Sequence, residues 1–164
     1  MSNKGYTLVE AVVYIAVMAI LFIIISNSLI SIIGTYKEFD TRRDLQSAAI
    51  FSFERLTREI REAESVSVAG SFFGTSPGIL VLSKIEGGNP VVLEFKLSGT
   101  SLHVYKDGAD QGPLTASGVS VNSLIFNHST NDHSELVKMQ LTLQSGELIR
   151  DFYTSTVLRG AYEG

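Results

Sequence analysis

Cysteine is absent from the 164 residues of this chain, and its absence excludes three kinds of chemistry. Without a thiol the chain forms no disulfide, has no cysteine nucleophile and offers no thiolate to a metal. A basic excess is also absent, because 13 Lys and Arg stand against 17 Asp and Glu, which gives a formal net charge of −4. Nucleic-acid binding requires a basic surface that neutralises phosphates, so the charge balance argues against that class of protein.

Catalytic and phosphate-binding motifs are missing as well: the chain has neither a Gly-x-Ser-x-Gly elbow nor a glycine-rich phosphate loop. Of the three histidines, we predict His103 half-exposed in a strand, and His128 and His133 at the two sides of a polar loop that contains Asp132. Two histidines on such a loop are weak evidence for a metal site. We therefore expect a protein that is not an enzyme and has no catalytic residues, no metal and no cofactor.

Calcium is the one ion for which the sequence offers a candidate. Asp107 and Asp110 lie in a glycine-containing segment similar to calcium-binding loops. The segment lacks the ligands at alternate positions and the bidentate glutamate of an EF-hand. The composition therefore favours a solvated turn, and calcium is kept only as a lesser alternative.

Charge is absent from residues 11 to 36, and most of this stretch is strongly apolar. As a helix it is long enough to cross a hydrocarbon core about 30 Å thick. A single carboxylate, Glu10, stands at its start, five residues after Gly5. A charged side chain costs roughly 2.5–3.5 kcal/mol at the centre of a bilayer and less near its surface, so it is seldom kept there without a partner. Glu10 is therefore a candidate functional residue.

Two ordinary interpretations of this N-terminal segment compete with a specialised one. In a secretory signal peptide, Lys4 would supply the basic region, residues 11–25 the apolar region, and residues 26–28 the small-residue cleavage site. In a plain membrane anchor, the apolar run would only span the bilayer. Neither interpretation accounts for a carboxylate at the start of the run or for the glycine that precedes it.

Gly5, the following residues Tyr6-Thr7-Leu8-Val9-Glu10 and the uncharged run together resemble the class III signal sequence of the type IV pilin and type II secretion pseudopilin superfamily. The resemblance implies that prepilin peptidase cleaves after Gly5 and methylates the new amino terminus on Tyr6. It implies that Glu10 guides assembly by facing the amino terminus of a neighbouring subunit.

The same resemblance implies the partners and the location of the protein. The partners are other pilins or pseudopilins, the prepilin peptidase and an inner-membrane assembly platform. The location is the inner (cytoplasmic) membrane, as a single-pass protein with its head outside the cytoplasm, followed by the filament or cell surface. The implied fold is a long N-terminal helix that packs on an antiparallel sheet.

Helical periodicity continues beyond the apolar run. Apolar residues spaced by three or four form one stripe of a helix, which is expected to pack on a sheet. Pairs four residues apart, Glu54 with Arg58 and Arg58 with Glu62, are expected to add ion pairs on its other side. The predicted helix–sheet core residues are Leu45, Ala49, Phe53, Leu56 and Ile60, followed by Ala63.

After residue 64 the period of the pattern changes from 3.6 to 2, most clearly in residues 136–144. Short glycine-containing connections predict antiparallel hairpins, and residues 65–78 are expected to form a loop. We predict an α+β fold with a single antiparallel sheet covered by the helical stripe. The predicted strands are residues 79–85, 91–97, 102–106, 119–127, 136–144 and 147–157.

These patterns divide the chain into a leader (1–5), a transmembrane or filament-core helix (6–34), an amphipathic helix half (35–64) and an antiparallel β-sheet head (65–164). Residues 45–63 are similar to the second half of the helix in J-type minor pseudopilins and related minor pilins. Principal pilins commonly carry a helix proline and a C-terminal disulfide, which this chain lacks, so the resemblance favours a minor subunit. The alternative function is that of a membrane-anchored or secreted β-rich binding domain.

Overall fold

The structure is a computed structural model that describes residues 7–131 and 134–158. A single α-helix, α1 (Leu8–Glu62), begins the described chain. The chain divides into two compact units, one ending at Asp40 and the other beginning at Thr41. The first unit contains the apolar part of α1. The second contains about the last six turns of α1 and every strand of the described chain.

Eight strands form two antiparallel sheets in the second unit. The five-stranded sheet has the order β1 (Ser65–Val66), β2 (Leu80–Glu86), β3 (Asn89–Ser98), β4 (Ser101–Lys106), β5 (Ala109–Pro113). The three-stranded sheet has the order β6 (Ser120–Asn131), β7 (Ser134–Ser145), β8 (Leu148–Val157). All paired strands are neighbours in sequence, so each sheet is a meander. The predicted α+β class, with a long helix and antiparallel sheets in the head, is confirmed.

Turn chemistry fixes the register of the hairpins. Gly87 and Gly88 connect β2 to β3 with φ values of 59° and 84°. Positive φ at both central residues is the requirement of a type I′ turn, whose twist matches that of the strands. Asp107 and Gly108 repeat the arrangement between β4 and β5, with φ values of 49° and 80°. The segment considered as a calcium loop is therefore a tight hairpin turn followed by a short strand.

The prediction of a single sheet was wrong, and the loop between β1 and β2 shows why. Within residues 71–79, the backbone N–H groups of Gly74 and Gly78 donate to the carbonyl oxygens of Phe126 and Leu124, both at 2.8 Å. Ser76 Oγ accepts a hydrogen bond from the N–H of Leu124 at 3.1 Å. This loop thus occupies the edge of β6, and β5 does not pair with β6. The predicted loop also contains β1 and a 3₁₀ turn, Val68–Gly70.

One hydrophobic core joins the second unit, because side chains from α1 and from both sheets bury against one another. On α1, Leu45, Ala49, Leu56 and Ile60 are buried, while Phe53 is only partly buried at the margin of the core. Ala48 and Ala63 complete the buried helix surface. The sheets contribute Leu80, Leu82, Phe95 and Leu102 on one side, and Phe126, Met139, Leu141 and Leu143 on the other.

A buried ionic network lies where α1 meets β2. The side chain of Glu59 is only 5 % exposed and is paired with Arg55 Nη2 and Lys84 Nζ, each at 2.8 Å. Burial lowers the pKa of Lys84, but its hydrogen bond to Glu59 and the nearby Glu59 and Glu62 carboxylates outweigh burial and raise that pKa. Two cations therefore compensate a carboxylate that would otherwise be costly to bury.

The expected surface pairing on this helix was wrong. Among the described residues Glu54 and Arg58 form no ion pair, whereas Arg55 and Glu59, also four residues apart, do. The difference follows from Glu59, whose buried carboxylate requires a charged partner more strongly than an exposed one does.

Leu56→Ala is expected to lower the free energy of unfolding by about 2–5 kcal/mol, because it leaves a cavity in the shared core. Phe51→Ala is the matched control, since this side chain of the same helix is 66 % exposed. Urea denaturation of a fragment beginning at Thr35, which omits the apolar run, measures both changes. Equal and near-zero effects would mean that the stripe does not pack on its own sheets.

Lys84→Met is expected to lower the free energy of unfolding by about 1.5–3 kcal/mol at pH 7, the usual range for losing a hydrogen bond to a charged group. Lys106→Met, which removes the exposed Lys106–Glu86 pair, should change stability little. Because the pKa of Lys84 is raised, its contribution is complete below the ordinary value of 10.5 and is lost as pH rises through the folded-state value. Denaturation at pH 7 and in alkaline buffer measures the difference.

Candidate functional site

The candidate site is the start of α1, where Thr7 caps the helix. Thr7 Oγ1 accepts a hydrogen bond from the N–H of Glu10 at 3.3 Å, and the Thr7 carbonyl accepts one from Ala11 at 3.2 Å. The first N–H groups of a helix have no partner within it, so a side-chain oxygen at this position stabilises the helix start. The Thr-x-x-Glu spacing is that of a capping box, which marks the start of a helix. The sequence contains this motif, but the prediction from sequence did not include it.

Glu10 lies in the first turn of α1, half-exposed. The positive end of the helix dipole favours a carboxylate at this position. Tyr14 donates its hydroxyl to Glu10 Oε1 at 3.3 Å from one turn further along the helix. Throughout residues 7–131 and 134–158, no Lys, Arg or His forms an ion pair with this carboxylate. Its charge is therefore met within the described chain by neutral donors.

The helix surface that follows Glu10 is apolar and exposed. The segment Leu8–Ile32 has a mean hydropathy of 2.9 in its most apolar window, and none of that window is buried by other parts of the protein. By length and composition this segment of 25 residues can cross a membrane. Water is an unfavourable environment for so large an apolar surface, and the segment fits a membrane anchor.

Gly5 and Tyr6, predicted as the cleavage and methylation residues, lie outside the described residues. The chemistry assigned to them is based on the sequence pattern alone. The described site therefore consists of Thr7, Glu10, Tyr14 and the apolar surface behind them.

The two described histidines, His103 and His128, have partners within the head. His103 lies in β4, with Nδ1 at 3.0 Å from both carboxylate oxygens of Asp110. The N–H of Gly112 and then His103 lower the pKa of Asp110. His128 lies in β6 rather than beside a polar loop, because β6 extends to Asn131. Its Nε2 is 3.3 Å from Glu135 Oε2, and its ring stacks on Phe73.

No group of three or more potential metal ligands is present in the part of the chain that the structure describes. Asp107, considered for calcium, accepts a hydrogen bond from the N–H of Val92 at 2.9 Å. The Asp110 carboxylate accepts a hydrogen bond from the N–H of Gly112 at 2.8 Å and lies 3.0 Å from Nδ1 of His103. Both carboxylates are used within the β3–β5 hairpins. His133 and Asp132 lie outside the described residues.

Comparison with known proteins gives one match. The model of the prokaryotic N-terminal methylation motif matches residues 1–26 of the chain. No curated protein and no solved structure gives a significant match. The matched segment ends inside the apolar helix and includes Gly5, Tyr6 and Glu10. The methylation motif, the apolar helix behind it and the antiparallel sheets of the head together fit the type IV pilin and pseudopilin superfamily.

Proposed function

We propose that this protein is a minor pilin or pseudopilin, a structural subunit of a type IV pilus or a type II secretion-like filament. The observation that carries the proposal is the methylation motif over residues 1–26, with Glu10 at the start of an exposed apolar helix. Prepilin peptidase cleaves after Gly5 and methylates Tyr6. The subunit is held in the inner membrane as a single-pass protein with its head outside the cytoplasm, and an assembly platform transfers it into the filament.

Charge pairing supports the role of Glu10 in assembly. Cleavage creates an α-amino group, which has an ordinary pKa of about 7.7–8.0 and carries a positive charge at lower pH. Glu10 has a negative charge and no cationic partner among the described residues. When apolar helices pack in parallel, each charge is expensive to bury alone, and pairing one with the other offsets much of that cost.

The pair also defines the stagger between neighbouring helices. Apolar side chains along α1 resemble one another from turn to turn, so dispersion and burial alone discriminate poorly between one axial offset and the next. A buried polar contact can select one register among several, as it does in coiled coils. We therefore assign Glu10 a role in specifying which amino terminus it meets, more than in adding net stability.

Two absences support a minor subunit: the helix lacks proline throughout Leu8–Glu62, and the chain lacks cysteine. Principal pilins commonly carry a helix proline and a C-terminal disulfide. The alternative of a membrane-anchored or secreted binding domain predicts a different processing product. Its leader would be removed after residue 28, or not removed. The mass of the mature protein therefore separates the two functions.

Gly5→Leu is expected to block maturation, because the added side chain obstructs the approach of the peptidase to the backbone. Ser2→Leu is the matched control, since it adds the same side chain within the leader but away from the cut. Intact mass and N-terminal sequencing should find the wild type and the control starting at methylated Tyr6, and Gly5→Leu uncut. Normal maturation of Gly5→Leu, or a mature wild type starting after residue 28, would contradict the pilin role.

Glu10→Ala is expected to remain cleavable but to enter filaments poorly, since an unpaired amino terminus in an apolar bundle costs roughly 3–5 kcal/mol. Glu10→Gln should recover part of the assembly by hydrogen bonding. Tyr14→Phe, which removes a neutral donor to Glu10 and leaves the carboxylate charge in place, should assemble like the wild type. The amount of each variant in sheared filaments, compared with its amount in the membrane, measures assembly. Wild-type assembly of Glu10→Ala would contradict the charge pair.

A further inference from the structure

Two sheets have four edges, and in the described chain three of these edges are short, irregular or partly covered. β1 offers only two residues, Ser65–Val66. β5 has five residues, ends in Pro113 and follows an irregular register between His103 and Tyr105. The edge of β6 is covered in part, by the loop at residues 71–79 at Leu124 and Phe126 and by the carbonyl of Thr100 at Val121. Short strands, proline, register irregularities and covering loops are the ordinary means by which proteins prevent edge-to-edge pairing.

The fourth edge, on β8, is not short, interrupted by proline or covered by a loop among the described residues, and its only protection of the ordinary kinds is the charge of Arg150 and Asp151. Leu148–Val157 is ten residues long, contains no proline and pairs with β7 in an unbroken register from Leu148 to Val157. Within the described chain β7 is its only strand neighbour, so the N–H and C=O groups on its other side have no strand partner. A long, regular edge of this kind is a template for another strand.

The outer face of β8 has a symmetric sequence. Ile149, Tyr153 and Val157 are 51 %, 67 % and 37 % exposed, and they lie on one face at intervals of four residues. Asp151 and Ser155 lie between them on the same face. In either direction from Tyr153, the residue two positions away is polar and the residue four positions away is apolar. A strand with this symmetry is complementary to a reversed copy of itself.

We propose that β8 pairs antiparallel with β8 of a second copy of this protein, with Tyr153 directly opposite Tyr153 of the second copy. In this register Ile149 lies opposite Val157, and Asp151 lies opposite Ser155. All three exposed apolar residues then meet apolar partners, and no two like charges are opposed. Such cross-strand pairs are the units that stabilise sheets. Because both copies contribute the same strand, the pair is a closed two-fold dimer.

Neighbouring registers fit less well. In a two-fold antiparallel pair, each residue stays on its own face of the sheet and the two-fold axis passes beside one residue of each strand. The neighbouring registers therefore place the residue before or after Tyr153 at this axis. With Phe152 at the axis, Ile149 lies opposite Ser155 and Asp151 opposite Tyr153, which opposes apolar to polar residues. With Asp151 at the axis, two carboxylates face each other, which is unfavourable. The register centred on Tyr153 is therefore the one that the sequence favours.

This dimer is distinct from the filament contact proposed above. Its two-fold axis is normal to the sheet, so the paired strands run in opposite directions, whereas the proposed filament packs its helices in parallel. The dimer is a contact between heads, and it requires neither cleavage after Gly5 nor the charge of Glu10. Failure of the dimer would leave the filament role untouched, and failure of maturation would leave the dimer untouched.

The lack of cysteine allows a direct test with the full chain in detergent. Residues opposed in an antiparallel pair have Cα atoms about 4.5–5.5 Å apart, within the range a disulfide bridges. Tyr153→Cys is therefore expected to form a disulfide dimer under mild oxidation, seen on a non-reducing gel. Gln111→Cys, exposed on the edge of β5, is the matched control for collisions within a micelle. It should run mostly as a monomer on the same gel.

The register has its own test. Ser155→Cys alone should not crosslink, because the two Ser155 positions lie four residues apart along the pair, about 13 Å. A mixture of Ser155→Cys with Asp151→Cys should crosslink between the two variants. Tyr153→Lys, which places like charges at the axis, should shift the sedimenting species from dimer to monomer while the circular dichroism spectrum is unchanged. A wild type that sediments as a monomer, or equal crosslinking of Tyr153→Cys and Gln111→Cys, would overturn the proposal.

Discussion

The second unit depends on a single packing contact, that of the α1 stripe against two sheets at once. Each sheet is a small meander with one apolar face, and a sheet of three to five strands needs such a face covered to be stable in water. Leu56 and Ile60 on α1 share one core with Phe95 of the first sheet and Phe126 of the second. The sheets are thus held together through the helix, the loop at residues 71–79 and a backbone hydrogen bond from Val121 of β6 to Thr100 of the β3–β4 turn, without strand pairing between them.

The two parts of α1 differ in how their apolar side chains are distributed around the helix axis. From Thr41 onward most of its apolar side chains lie on one buried stripe, with Ile50 and Phe51 exposed outside it, and the remaining faces carry charges that water solvates. Before Asp40 the apolar side chains surround the axis, as expected of a helix whose surroundings are themselves apolar. Glu10 is the exception within Leu8–Ile32, and this is why its carboxylate calls for a functional explanation where a carboxylate on the solvated stretch does not.

Most of the architecture could be predicted from local patterns. The 3.6-residue period identified the stripe, and the 2-residue period with glycine turns identified six strands within a few residues of their bounds. Three features could not be predicted because they depend on distant contacts. The division into two sheets results from hydrogen bonds between Gly74 or Gly78 and β6. β5 is polar and exposed and has no periodic signal. The Glu59–Lys84 pair joins residues whose burial only the tertiary structure decides.

At the candidate site, the glycine–carboxylate spacing and the uncharged run were legible in the sequence because they are local. The cap by Thr7 could also have been predicted from the sequence but was not. The Tyr14–Glu10 contact depends on side-chain rotamers, which cannot be derived from a sequence. The chemistry of Gly5 and Tyr6 still derives from sequence resemblance and from the matched methylation motif.

The hydrogen bond between Thr156 and Thr57 joins residues 99 positions apart, at the two extremes of the second unit. Contacts this distant in sequence slow folding, because the intervening chain must be ordered before they form. A polypeptide that emerges amino terminus first exposes its α1 stripe long before β6, β7 and β8 exist to cover it. Completion of the head therefore waits for the last strand, and until then the apolar stripe stays exposed.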